Sequence, residues 1–548
     1  MTDVIPIYLA VEDSLSEIAL RVILEQSGKK STGIAEKEVT LERERSLIFQ
    51  RLGTGMDVKN RIGRFGIGLV TLIISIAFLG CASSKEYSYE RIVSEQSLAH
   101  VRKQPTARSE FEPDLSRLER PVSVLDSIKI AINNNPDIDI AVSRIRESEA
   151  TIDEANAAFW PRLAFYTEYI KGDSPSTYLF KKIDQRRLSP GTDFNNPGMI
   201  ENFELGVWAR YNIYNGGRDI LRKKIAATGL EIGQLDRLTV ENALIASVIQ
   251  AYYNTLAARD FIEVATETVS TVDSQLKIML VKFKAGGALK SDILSLDVRL
   301  AQTSENLIRA RNNYSLCMVA LANLMGADPD TEIELSGAEW QPVELPANYD
   351  DGIVAALGIR PELLKAREQI VLSEMGLDME KKGYLPSLNA HGRYYGDDSG
   401  MEFSRERANW VAGVVFDWDI FTGFDTKARV QKGRAVLDQA LAADRKTTQS
   451  IQLDVKTAYL RSSEAKARLK VAEISVAQAE ESLNLVKLQY EGGSATITRY
   501  LDAELARNSA RMRERSAFYD WKKAQADIGR ALGYCGLCAR KELAGNEE

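Results

Sequence analysis

Residues 214–284 and 424–490 contain no proline. A helix of about 70 residues rises 1.5 Å per residue and spans roughly 105 Å, longer than an ordinary globular domain is wide. Within each stretch the apolar residues settle into a strict heptad. Ile262, Ala265, Val269, Val272, Leu276, Met279 and Phe283 recur in steps of three and four. Leu469, Ala472, Val476, Ala479, Leu483, Val486 and Tyr490 repeat the pattern in the same phase. So narrow a seam fits one partner helix rather than a broad core. The partner follows in the chain. After Gly286-Gly287, the series Ile293, Leu296, Leu300, Thr303, Leu307, Ala310 and Tyr314 keeps the same steps, which predicts an antiparallel coiled coil. After Gly493 the corresponding seam is less regular, with Arg507 and Glu514 at seam positions. Either that face turns toward a channel or a neighbour, or the register shifts.

The two rods belong to an internal duplication. Asn135-Pro136 recurs as Arg360-Pro361, and Phe159-Trp160-Pro161-Arg162-Leu163 recurs as Tyr384-Leu385-Pro386-Ser387-Leu388, both 225 residues on. Asn212-Ile213-Tyr214-Asn215-Gly216 recurs as Asp419-Ile420-Phe421-Thr422-Gly423, 207 residues on. The same 207 relates Phe283 and Gly286 to Tyr490 and Gly493, and Leu324-Met325-Gly326 to Ala531-Leu532-Gly533. The offset changes only between two short strand-like segments, where a surface loop absorbs length. Each half reads helix, strand, loop, strand, very long helix, turn, helix. The first helices are expected over residues 122–158 and 349–382, and the strands over 162–171, 203–213, 387–395 and 410–420. The repeats occupy 122–335 and 349–534, joined by a linker at 336–348 and followed by a tail at 535–548.

Alternation supports the strands. Phe203, Leu205, Val207, Ala209 and Tyr211 share one face, and Glu204, Gly206, Trp208, Arg210 and Asn212 the other. Trp410, Ala412, Val414, Phe416, Trp418 and Ile420 oppose Asp417 and Asp419. Strands of about 9–11 residues with one apolar face suit a transmembrane barrel, and also suit the half-buried sheet of a soluble domain.

Residues 56–80 read as an export signal. Lys59, Arg61 and Arg64 precede an apolar run ending at Gly80, too short for the roughly 20 residues of a spanning helix. Phe78-Leu79-Gly80-Cys81 resembles a bacterial lipobox with Phe78 where leucine is usual. Cys81 is therefore the expected lipidation site, opening a linker at 81–121. A plain cleaved signal or an uncleaved anchor is the alternative. Residues 1–55 read as one strand and one helix, too little for a core, so Met56 is the expected start. A genuine cytoplasmic fragment is the other reading.

Other chemistry is weakly signalled. The net charge of −7 comes without a dense basic block, which excludes a nucleic-acid surface. Two distant histidines, His100 and His391, disfavour His-based metal sites and catalysis, so no cofactor or metal is expected. Cys535-Gly536-Leu537-Cys538 follows the last helix, with no second pair to complete a zinc site, and reads as an exposed pair or a local disulfide. Cys317 continues a heptad seam as a small buried residue.

Taken in order and duplicated at constant spacing, the Asn-Pro helix start, the Pro-x-Leu strand start, the aromatic-x-Gly strand exit and the Tyr/Phe-x-x-Gly turn resemble the TolC-like outer-membrane factor family, over about residues 122–534. The resemblance implies a mainly α fold with transmembrane strands. It implies a homotrimer, with four strands per subunit in a 12-stranded β-barrel set in outer-membrane lipid, and helices in a periplasmic coiled-coil barrel. Such a duct would be passive and non-enzymatic. It would serve a tripartite efflux or type I secretion system, fed by an inner-membrane pump through a periplasmic adaptor. The turns at 283–296 and 490–503 would be the periplasmic tips, with Gly286, Gly287, Asp292, Gly492 and Gly493 at the adaptor contact. Asp502 matches an acidic constriction position of the family. Arg499 stands where a second acid is common, and a bond from Arg499 to a carboxylate could hold the gate shut. The bland alternative for both is an ordinary exposed helix charge. A lipidated adaptor would need a lipoyl-like β-domain between the helices, a structural coiled-coil lipoprotein would not need the strands, and an enzyme would rest on the CxxC alone.

Overall fold

The computed structural model describes residues 121–331, 333–337 and 345–534. The signal, Cys81, His100, Cys535 and Cys538 lie outside the described residues. In chain order the elements are α1 (Val124–Asn134), α2 (Pro136–Ala157), β1 (Arg162–Gly172), α3 (Pro175–Asp184), β2 (Ile200–Tyr214), α4 (Arg218–Lys284) and α5 (Lys290–Leu324). The second half follows with α6 (Tyr349–Ile359), α7 (Pro361–Lys381), β3 (Ser387–Asp398), β4 (Ala408–Asp417), α8 (Asp425–Glu491) and α9 (Ile497–Leu532).

The helix expected over 122–158 is two helices, and so is its counterpart over 349–382. The residue before a proline is driven toward extended backbone, and Asn135 (φ −74°, ψ 126°) and Arg360 (φ −58°, ψ 119°) break the helix in the same way. Asn135 turns the break into a start. Its Oδ1 accepts the Asp137 N–H at 2.8 Å, and Pro136 fills the first helical position, where no N–H is needed.

The proline-free stretches form single helices. α4 and α8 each hold 67 residues, about 100 Å of rod. Each is covered over its first part by α2 or α7 and over its second by α5 or α9. The return turns are paired 6→1 and 5→2 hydrogen bonds: Gly287 N–H to the Lys282 carbonyl (2.8 Å) with Gly286 to Phe283 (2.9 Å), and Ser494 to Gln489 (2.8 Å) with Gly493 to Tyr490 (3.1 Å). Gly286 and Gly493 sit at φ 75° and 77°, where a Cβ is strained.

The core clusters repeat at the 207 offset. Leu244 and Val248 stand with α1 in one cluster, and their equivalents Ile451 and Val455 stand with α6 in the other. Each such side chain contributes roughly 1.5–3 kcal/mol by leaving water. Tyr252 donates its hydroxyl to the Val122 carbonyl (2.9 Å), and its equivalent Tyr459 to that of Pro346 (2.7 Å).

The strands form one antiparallel meander, β1-β2-β3-β4, so β1 and β4 each keep an unpaired edge. The duplication's extra 18 residues lie in the β1–β2 connection (173–199 against 399–407), and ten of the residues in it fold as α3 in place of the expected loop. β2 begins at Ile200 and β3 runs to Asp398, each three residues beyond expectation. β4 stops at Asp417, so Trp418 and Ile420 lie past the ladder although the alternation runs on. Among the described residues no helix is long and apolar enough to cross a membrane.

Candidate functional site: the helical turns and the two-faced sheet

Both return turns are built on one small core. Val272, Met279 and Leu296 from the first turn pack with Val486, Ile497, Tyr500 and Leu501 from the second. Tyr490 and Tyr500 stack with ring centroids 5.6 Å apart, and Lys282 Nζ lies 4.9 Å from the Tyr490 ring centroid, tying one turn to the other. Asp292 is half-buried and caps α5, its carboxylate accepting the Leu289 N–H at 3.3 Å. Thr496 caps α9 by accepting the Arg499 N–H at 3.3 Å. The Arg499 and Asp502 side chains are both exposed, and among the described residues neither makes an ion pair.

Where the seam of α9 is irregular, polar groups pack against α4. Arg507, its side chain only 12% exposed, pairs with Glu267 at 3.0 Å. Asn508 donates to Thr268 Oγ1 at 2.8 Å, and Arg511 joins Glu267 (3.2 Å) to Glu480 (2.8 Å). Glu504 is 3% exposed. Burial pushes its pKa up and Glu267 adds to the rise, while Arg507, Thr271 and Arg299 pull it down. The sequence reading did not single out Glu504 or Asn508; the interruption at Arg507 and Glu514 was the signal. Cys317, expected to be buried, is half-buried, and burial raises its thiol pKa.

The sheet sorts its faces, with one exception on the apolar side: Asp398 opposite Phe203, buried and ion-paired with Arg187. The pairing puts Leu163, Phe165, Thr167 and Tyr169 in line with Ala209, Val207, Leu205 and Phe203, then with Gly392, Tyr394 and Gly396, then with Ala412, Trp410 and Ala408. This apolar face is open to solvent around one chain, with Trp410 75% exposed. Aromatic residues gather at both of its ends. Tyr169, Phe203, Tyr394 and Trp410 stand at one end, and Tyr211, Phe416, Trp418 and Phe421 at or just past the other, roughly 20 Å along the strands. An apolar band between two aromatic girdles is the outer surface of a membrane barrel.

The opposite face is polar, and α3 lies against its far end. Lys181 of α3 ion-pairs with Glu204 and, at 2.9 Å, with Asp397. Tyr166 donates to Glu204, and Arg393 lies 3.4 Å from it. Asn202 donates to Asp397 at 2.6 Å, and Gln185 to Asn202 at 2.7 Å. These contacts match buried carboxylates with cations, which isolated carboxylates would require at a cost of several kcal/mol.

The architecture has known counterparts. The family model described as Outer membrane efflux protein matches residues 127–327 and 352–534. The alkaline protease secretion protein AprF of Pseudomonas aeruginosa is 23% identical, covering 77% of this chain and 86% of that protein. The probable outer membrane lipoprotein SilC of Salmonella typhimurium is 21% identical, covering 72% and 80%. The CmeC outer membrane channel of Campylobacter jejuni has a like fold, with a TM-score of 0.67 at 15% identity over 77% of this chain and 88% of that one.

Proposed function

The chain belongs to the outer membrane efflux protein family, and on that premise we propose that three copies join their sheets edge to edge into a twelve-stranded barrel and their rods into a periplasmic tunnel. The sheet carries this reading: four strands from each of three copies supply the twelve, and two bare edges beside an apolar face have no stable place in lipid until neighbours pair them. The protein is an outer-membrane channel of the efflux and secretion type. The finer proposal is a passive exit duct for solutes or polypeptides, handed over by an inner-membrane pump through a periplasmic adaptor, with no covalent step. The adaptor would meet the turns around Gly286, Gly287, Asp292, Gly492 and Gly493, whose shared core makes them one rigid tip.

At that tip Asp502 would meet its own copies near the threefold axis. Like charges there are costly unless they hold a cation or a partner such as Arg499 of a neighbouring copy. Cys81 would carry an acyl anchor, in keeping with the lipoprotein description of SilC. Purified protein reconstituted in planar bilayers should run as a heat-resistant trimer and conduct. Asp502→Ala should raise resting conductance or weaken block by divalent cations; unchanged values in both would remove Asp502 from the gate. Cys81→Ser should abolish acyl labelling, and labelling that persists would place the anchor elsewhere.

A further inference from the structure

The polar face of the sheet is zoned by charge. Arg162 pairs opposite Arg210, and Arg210 opposite His391, so one row across β1, β2 and β3 holds two guanidinium groups beside an imidazole. Six residues along β1, the row through Glu168, Glu204 and Asp397 holds three carboxylates. Lys181 and Arg393 answer the acids at Glu204 and Asp397. The cations have no such answer: among the described residues Arg162 and Arg210 make no ion pair. Like charges directly opposite across strands are destabilising, and this chain keeps the pair uncompensated and exposed.

The row lines a cavity of about 880 Å³, together with Trp160 and Trp208. The Arg210 guanidinium lies 4.4 Å from the Trp208 ring centroid. Within the chain β4 brings this row one carboxylate against its two guanidinium groups. β4, the edge a neighbour would bring against β1, offers this face Asn409, Val411, Gly413, Val415 and Asp417. Its one carboxylate, Asp417, sits opposite Ser387, four residues along β3 from His391, and lines the same cavity.

We infer that the Arg162–Arg210–His391 row is a binding ring for anionic solutes in transit, with preference for those bearing a flat aromatic group. Guanidinium forks grip carboxylate, sulfonate or phosphate oxygens in pairs, and the indoles give the ring a surface to stack on. The inference rests on the trimeric barrel proposed above, since closure is what turns this face into a lumen and three rows into a ring.

The test uses the full-length protein in planar bilayers, with 1-naphthalenesulfonate as probe and 1-naphthylmethylammonium as its cationic match. The sulfonate should block the wild-type current transiently. Arg162→Gln/Arg210→Gln should raise the half-blocking concentration on the order of tenfold or more, the loss expected for charge-assisted hydrogen bonds. Trp208→Leu should raise it less. Should the double variant fail to insert, each single Arg→Gln variant should still weaken the block, and raising KCl should weaken it in the wild type. Equal block of wild type and variants, or equally strong wild-type block by the ammonium probe, overturns the inference. A wild-type protein that conducts but ignores the sulfonate overturns it while leaving the channel reading intact, whereas a protein that never conducts overturns the channel reading itself.

Discussion

At the corner of the first half, Asn135 Nδ2 donates to the Leu324 carbonyl at 2.9 Å. At the same corner of the second half, Arg360 Nη1 donates to the Ala531 carbonyl at 3.0 Å. Leu324 and Ala531 are equivalent at the 207 offset, so one backbone contact survives the exchange of an amide for a guanidinium. The exchange brings obligations: the buried Arg360 must also meet Glu362 (2.9 Å) and Asp454 (3.5 Å). The same contrast recurs at the rod starts. Gly217 and Phe424 occupy equivalent positions at φ 74° and 67°, comfortable for glycine and strained for phenylalanine. It recurs near the tips, where Asp297 is exposed and its equivalent Glu504 is buried. Duplication has kept the backbone joints and let the side chains that satisfy them diverge.

The largest expected effect sets Arg360→Ala against Asn135→Ala. The first should cost about 2–3 kcal/mol, because it strips carboxylates of a buried partner and empties packed volume. The second should cost about 1 kcal/mol, the usual worth of a helix cap. Thermal unfolding of the detergent-solubilised protein by far-UV circular dichroism reads both, and equal losses would reduce Arg360 to a cap. Next, Gly217→Ala should destabilise by about 1 kcal/mol, while Phe424→Gly should stabilise by a similar amount. A loss at Phe424 would mean that its edge-on contact with Phe421, at 5.4 Å, outweighs the strain.

The smallest effect concerns Glu504. Burial raises its pKa, so the stability it contributes is complete while it is protonated and is lost as pH rises through the folded-state value. The wild type should therefore lose melting temperature as pH climbs above the ordinary carboxylate range. Glu504→Gln should flatten that slope, and Asp297→Asn should leave it alone. Identical slopes in all three proteins would assign the pH dependence to other groups.

Most of the architecture was legible because it is local or periodic. The heptads from Ile262 and Leu469 mark seams whose Val272, Met279 and Val486 are buried. The change of offset located an insertion without knowing its fold. What escaped is non-local. Nothing near Lys181 in PSTYLFKKID announces Glu204 and Asp397 as its partners, because they lie on strands the sequence leaves unordered in space. The helix break at Asn135 was obscured by apolar periodicity that runs through the proline, and the end of β4 by alternation that outlasts its partner. At the tips Gly286 and Gly493 stand out by position in a repeat, and Arg499 and Asp502 only through the family resemblance, whereas Glu504 is hidden by the expectation of carbon at a seam.

The bare margins of β1 and β4 carry one last implication, for biogenesis. A newly exported subunit crosses water with two rows of unmet amides and carbonyls flanking a greasy sheet. In the proposed trimer, the energy that stabilises the finished pore would be released only when three such subunits find one another. Oligomerisation and insertion would then be coupled steps, sensitive to subunit concentration, and a lone subunit that lingers would be on the road to aggregation.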